Sequence, residues 1–168
     1  MRSRPVYFTN NLNQKLSGII YEDDPPSGRG VIYCHGLFSS KRGHKVTRLA
    51  PSIVRAGFSL LAFDFSFAGE SGGTFSDFSI LQEVEDLKSA VSFFIDQGMK
   101  SLHLIGSSMG GVVALLMAAL RHPRVRSLSL IATPVKLDEL MGNLLPAAKL
   151  DDLPTGGSTD VQGVSIKN

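Results

Sequence analysis

Apolar and polar positions along this 168-residue chain switch between two periods. Residues 6–9 and 15–21 are short runs of strand-forming residues on either side of the turn "NNLNQ", which predicts two paired strands. The loop "DDPPSGRG" leads to "VIYCHG" (31–36), a short apolar run ending at glycine, as a buried strand does. A helical pattern covers 46–56 and closes at Gly57, with Pro51 inside it predicting a late start or a kink. "FSLLAFDF" (58–65) reads as the next strand, and the Gly/Ser-rich "SFAGESGGTFSD" as a loop.

The clearest helix follows. Ile80, Val84, Leu87, Val91 and Phe94 recur at spacings of three and four, Glu83, Glu85, Asp86 and Lys88 fall between them, and Gly98 supplies the stop. "KSLHLIG" is a strand, "MGGVVALLMAALRH" a helix halted at Pro123, "VRSLSLIAT" a strand, and 136–149 a last helix. Two strands followed by strand–helix alternation predict an α/β fold with a mainly parallel sheet of about six strands flanked by helices. Residues 1–150 form one core in this reading, and 151–168 a loop-like tail with too few apolar residues for a core element.

Composition narrows the function classes. Hydrophobic content of 43% and charged content of 19% are those of a soluble globular domain. The net charge is +2 and the 17 basic residues are spread along the chain, so neither nucleic acid nor an anionic membrane is an expected partner. The one cysteine, Cys34, lies in an apolar run and excludes an internal disulfide framework, which suits a reducing compartment. The start "MRSRPVYFTN" lacks the apolar stretch of a signal peptide, and the longest apolar run, "VVALLMAAL", falls far short of the ~20 residues that span a bilayer. A cytoplasmic protein is expected. No pattern of metal ligands or cofactor loop is present; the glycine loops match neither a Walker A lysine pattern nor G-x-G-x-x-G.

The chemistry-bearing stretch is "LIGSSMGG". Gly-x-Ser-x-Gly fits one register, Gly106-Ser107-Ser108-Met109-Gly110, after a predicted strand and before a predicted helix. A sharp strand-to-helix turn forces its central serine into a strained backbone conformation and lifts the hydroxyl clear of the sheet. The flanking glycines avoid collision with the neighbouring strand and helix. The helix beginning beside Ser108 aims its first amides at the same point, so the Met109 N–H can stabilise an oxyanion. A second donor is expected after the third strand, where "HGLFSS" allows a turn presenting the Leu37 N–H.

Taken in order, "YCHGLFSS", "AFDFSFAGESGG" and "LIGSSMGG" resemble the α/β-hydrolase superfamily, particularly its esterase and serine aminopeptidase-like members. The resemblance covers residues 6–150 and implies Ser108 as nucleophile, Leu37 and Met109 as backbone oxyanion donors, and His35, Gly36, Gly106 and Gly110 as loop and elbow supports. The family's Asp-x-x-Gly-x-Gly-x-Ser loop is matched at Asp64, Gly69 and Ser71, with Phe67 and Ala68 departing from its usual small or polar residues. Asp64 is expected to accept backbone hydrogen bonds. In that family a cap and two further strands follow, bearing the catalytic acid and then the histidine. Neither the strands nor these residues are visible in this sequence.

The base is therefore the open question. His122 lies fourteen positions after Ser108, ~20 Å along a helix at ~1.5 Å per residue. His103 is five residues back on a strand, roughly 16 Å away at ~3.3 Å per residue. His35 alone has plausible geometry, yet the resemblance makes its ring structural; nothing in the sequence orients His44. Asp138 follows the sixth strand but reads as a solvated helix residue, and Asp151, Asp152 and Asp160 as loop carboxylates. Three readings follow: an acyl hydrolase of ester or amide substrates represented by an incomplete chain, an inactive remnant or interaction module, and half of a split enzyme. Phe38, Phe67, Phe75 and Met109 near the presumed mouth hint at an apolar acyl group, although such residues are more often core. The sixth strand is expected to be an exposed edge through which the chain associates with itself or a complementing chain.

Overall fold

The computed structural model describes residues 1–74, 76 and 78–134, together with the backbone of 158–161 and 164–167. Its element order is β1 (Arg2–Thr9), β2 (Lys15–Glu22), β3 (Arg29–Cys34), α1 (His44–Arg55), β4 (Ser59–Phe63), α2 (Ile80–Asp96), β5 (Ser101–Ser107), α3 (Met109–Ala119), β6 (Val125–Ile131), β7 (Ser158–Val161) and β8 (Val164–Lys167). The first six strands form one sheet in the order β1-β2-β4-β3-β5-β6. β1 and β2 form an antiparallel hairpin, β2 joins β4 antiparallel, and the β4-β3, β3-β5 and β5-β6 pairs are parallel. The expected α/β architecture is present. β7 and β8 pair as a separate antiparallel hairpin where a loop-like tail was expected, since strand pairing satisfies backbone groups without needing apolar side chains. The expected helix over 136–149, with Asp138, and the residues Phe75, Asp151 and Asp152 lie outside the described residues, as does the side chain of Asp160.

Helices cover both faces of the sheet. Val46 and Ala50 of α1 pack on Val31, Tyr33, Leu60 and Ala62. The opposite face carries α2 and α3, where Leu87, Val91 and Phe94 meet Ile32, Leu61, Phe63 and Leu104, and Val113 and Met117 join the same core. A strand sandwiched this way is apolar at every position, and all five residues of β4 are buried. β6 is different: no residue in it is buried, and β5 is its one partner among the described residues.

Two helices depart from the expected pattern. α1 starts at His44, earlier than Pro51 suggested, and runs through that proline. Pro51 is exposed, so its ring meets solvent rather than the sheet, although one intrahelical N–H is lost. In α2, Glu83 and Asp86 are not on the polar face but buried. Asp86 is satisfied: it accepts from the Asn10 side chain at 2.8 Å, the Ser66 N–H at 2.7 Å and Gln82 at 3.0 Å. Among the described residues Glu83 Oε2 has no partner. Burial, with Asp86 nearby, pushes the Glu83 carboxyl up to about 8.

Candidate active site

β5 ends at Ser107 and α3 begins at Met109, so Ser108 is the one residue between them. It has φ 53° and ψ −124°, outside the regions open to most side-chain-bearing residues. Such a conformation costs on the order of 1–3 kcal/mol and persists only where the surroundings over-determine it. Here they do. The Ser108 N–H donates to the Ile131 carbonyl at 2.9 Å, and its carbonyl accepts from Gly111 N–H at 2.9 Å. A Cβ on Gly106 would sit 2.5 Å from the Gly110 carbonyl oxygen and from Gly111 Cα. A Cβ on Gly110 would run into the carbonyls of Cys34 and His35. The two glycines therefore let α3 lie directly against β3 and β5, and Ser108 caps that contact, half-buried.

The loop after β3 faces Ser108. A Cβ on Gly36 would lie 3.1 Å from the Ser108 Cβ and 3.7 Å from its Oγ. The Ser39 N–H closes a turn on the Gly36 carbonyl at 3.0 Å, with Phe38 at φ 58° as its third residue. Gly36, Leu37, Tyr33, Ser107 and Ser108 border one cleft of about 430 Å³. The expected donors, the Leu37 and Met109 amides, thus belong to the loop and the helix start that flank Ser108. Met109 itself is buried, and its side chain contributes to the core rather than a mouth.

His35 sits beneath this loop, buried, and both ring nitrogens are engaged. The Phe65 N–H donates to Nε2 at 3.2 Å, which requires Nε2 to be unprotonated; Nδ1 then carries the proton and donates to the Gly36 carbonyl at 2.9 Å. Desolvation lowers its pKa, and the Gly36 bond opposes that shift. The ring is a strut between the β3 and β4 ends. Asp64 is a second strut: its carboxylate accepts the Lys41 N–H at 2.6 Å and the Glu70 N–H at 2.9 Å, and its carbonyl accepts the Ser71 hydroxyl at 2.6 Å. Gly69, at φ 53°, packs so closely on the Asp64 carboxylate that a Cβ would overlap it. Phe67, which departs from the small residues of the motif, takes φ 61° and stacks edge-on against Phe78.

Sequence reasoning missed Lys41. Its ammonium is buried, paired with Asp64, and reaches Glu70 at 2.9 Å, which holds the Glu70 carboxyl below its usual range. In "SSKRGH" it looks like one more solvated loop charge. The clue is the apolar run Leu60–Phe63 leading into Asp64, which leaves a buried carboxylate needing a cation.

The remaining histidines are apart from Ser108 or unanchored. His103 Nδ1 meets the Ser127 hydroxyl at 2.7 Å and its ring stands edge-on to Phe58, on the α1 side of the sheet. His122 Nδ1 accepts the Arg124 N–H at 3.2 Å, beyond the far end of α3. His44 does border the Ser108 cleft, as the first residue of α1, and is exposed. Among the described residues no cluster of His, Cys, Asp or Glu could hold a metal, and no helix is long and apolar enough to cross a membrane.

The sequence model of the alpha/beta hydrolase fold matches residues 30–153. The chain belongs to that family. Among solved structures, the Pyrococcus furiosus esterase Pf2001 is 30% identical, with a TM-score of 0.70 over 82% of this chain and 54% of that one. The alpha/beta hydrolase GrgF from Penicillium sp. sh18 is 27% identical, with a TM-score of 0.70 over 79% of this chain and 46% of that one. Est1E from Butyrivibrio proteoclasticus, solved with ferulic acid bound, shares the fold with a TM-score of 0.84 at 17% identity, over 96% of this chain and 67% of that one. No match was found among curated proteins. The alpha/beta hydrolase chain described here spans about half the length of the first two structures, 54% and 46%.

Proposed function

We propose that this chain carries the nucleophile and oxyanion-hole portion of a serine hydrolase acting on ester or amide bonds. The observation that carries the reading is Ser108 at φ 53°, ψ −124°, in the gap between β5 and α3 and on the cleft shared with Gly36 and Leu37. In this mechanism the Ser108 oxygen adds to the acyl carbonyl as its proton passes to a base outside the described residues, and the alcohol or amine then leaves with that proton as the acyl-serine forms. The Leu37 and Met109 amides receive the oxyanion, and removing one such donor typically slows acyl transfer by about 10²–10³. His35 and Asp64 shape the site without exchanging protons with substrate. Labelling by a fluorophosphonate probe tests the reading: the wild-type chain labels and Ser108→Ala does not. Equal background labelling of the two would overturn it.

The base is the weak link of the described residues, because His35 is committed on both nitrogens and His44 has no hydrogen bond orienting its ring. The exposed β6 edge favours a second reading, in which another chain pairs there and completes the site with an acid and a histidine. Sedimentation of the chain then shows self-association or aggregation, and a clean monomer at high concentration would count against it.

A further inference from the structure

The segment between β3 and α1 carries the Leu37 amide, and one residue in it breaks its pattern. Phe38, Ser39, Arg42 and His44 are exposed, whereas Lys41 is 2% exposed. Two turns follow one another here. The Ser39 N–H closes on the Gly36 carbonyl at 3.0 Å, and the Gly43 N–H on the Ser40 carbonyl at 2.9 Å. Lys41 is the second residue of the later turn. Its N–H donates to Asp64 Oδ1 at 2.6 Å and its ammonium to Asp64 Oδ2, so backbone and side chain end on one carboxylate. The ammonium also reaches Glu70 Oε2 at 2.9 Å. Lys41 does not border the Ser108 cleft, although Ser39 and Gly43 on either side of it do.

Asp64 is held independently of Lys41. Its N–H donates to the Ser17 carbonyl of β2 at 2.8 Å, and its carbonyl accepts the Ser71 hydroxyl at 2.6 Å. The Ser71 oxygen in turn accepts the Ser17 N–H at 2.9 Å. The carboxylate is therefore anchored to the sheet. The other end of the turns is tied to the next residue along, because the His35 ring bridges the Gly36 carbonyl and the Phe65 N–H. Leu37 lies between two ties, and both end on residues 64 and 65.

Desolvating an ammonium and a carboxylate offsets most of their attraction, so a buried pair adds little net stability over apolar packing of the same volume. What it adds is direction, since both ions must keep one geometry to stay satisfied. An oxyanion donor needs direction: it acts at about 2.7–3.1 Å from the developing charge and fails when displaced. We propose that Lys41 is a positioning residue for the oxyanion hole, its bonds to Asp64 setting where the Leu37 N–H stands relative to Ser108. This rests on the acyl-hydrolase reading of Ser108.

The test measures fluorophosphonate labelling of the full chain against probe concentration, with amide exchange read by NMR on the same variants. Labelling joins Ser108 Oγ to phosphorus and releases hydrogen fluoride, with the phosphoryl oxygen in the oxyanion position. Lys41→Met lowers the limiting labelling rate by about 10–100-fold. The half-saturating probe concentration stays within about twofold, as befits a contact made only in the transition state. Lys41→Arg keeps the cation and recovers most of the rate. Lys41→Met strands a buried carboxylate, which can unfold the chain, so a second variant joins it to Asp64→Asn and removes both charges. That variant also labels slowly, whereas Arg42→Gln, which removes the neighbouring exposed charge, labels like wild type. The Ser39 N–H exchanges at least about tenfold faster in both variants lacking the ammonium, with the Val113 and Ala114 amides of α3 unchanged.

Wild-type labelling by the double variant would make Lys41 a counter-ion alone and overturn the proposal. Unmoved Ser39 exchange, or a loss confined to the half-saturating concentration, would do the same. A wild-type chain that does not label fails the hydrolase reading and this proposal with it. A wild-type chain that labels, at a rate Lys41→Met leaves unchanged, fails this proposal alone.

Discussion

Glu83 is the residue whose burial most directly shapes behaviour in solution. Its carboxyl is raised from 4.5 to about 8 by desolvation first and by Asp86 second. The folded state therefore holds a proton that the unfolded chain releases between those values. Stability is greatest below about 4.5 with respect to this group, falls as pH rises, and levels off above about 8. Glu83→Gln keeps the shape without the titration, so denaturation midpoints of this variant lose that slope relative to wild type. A slope that persists unchanged would assign the dependence elsewhere. Gly110 makes a sharper case. Any Cβ there enters the carbonyls of Cys34 and His35, which are backbone and cannot rotate away. Gly110→Ala should cost about 3 kcal/mol or more, read from urea unfolding. It should also displace Ser108 enough to lose probe labelling in whatever fraction folds.

Helix α1 tests what a proline costs when the fold has already accommodated it. Pro51 removes one N–H from the ladder, and its exposed ring gives no core contact in return. Pro51→Ala should raise stability by on the order of 1–2 kcal/mol, less than the ~3 kcal/mol of an unaccommodated helix proline, and a lowered urea midpoint would refute it. The same element shows where sequence reading stops. β4 is legible because a strand covered on both faces is apolar throughout, and α2 because its apolar spacing is helical. The elbow is legible because Gly106 and Gly110 are sterically required around Ser108. The start of α1 at His44 is not, since Gly43 caps it with backbone geometry alone. Nor are the buried charges. Lys41 and Asp86 look solvated in sequence because their partners come from distant segments: Asp64 and Glu70 for Lys41, Asn10 and Ser66 for Asp86.

Among the described residues β1 and β6 are both sheet edges, but β6 carries an exposed Leu130, and α3 exposes Leu115 and Leu116, followed by an exposed Leu120 at its C-cap. If association proceeds through β6, Leu130→Lys should lower the sedimentation coefficient of the associated species toward the monomer at unchanged helix content. No change would place the contact elsewhere. One more property follows from Cys34. It is the chain's single thiol, fully buried at the end of β3, against the helix that starts at Met109. Burial also pushes its pKa up, so it stays a protonated, slow-reacting thiol while α3 is seated. A thiol reagent can reach it only when that helix lifts. The rate of its modification is thus a clock for the breathing of the nucleophile's own platform, read from one site without introducing a label.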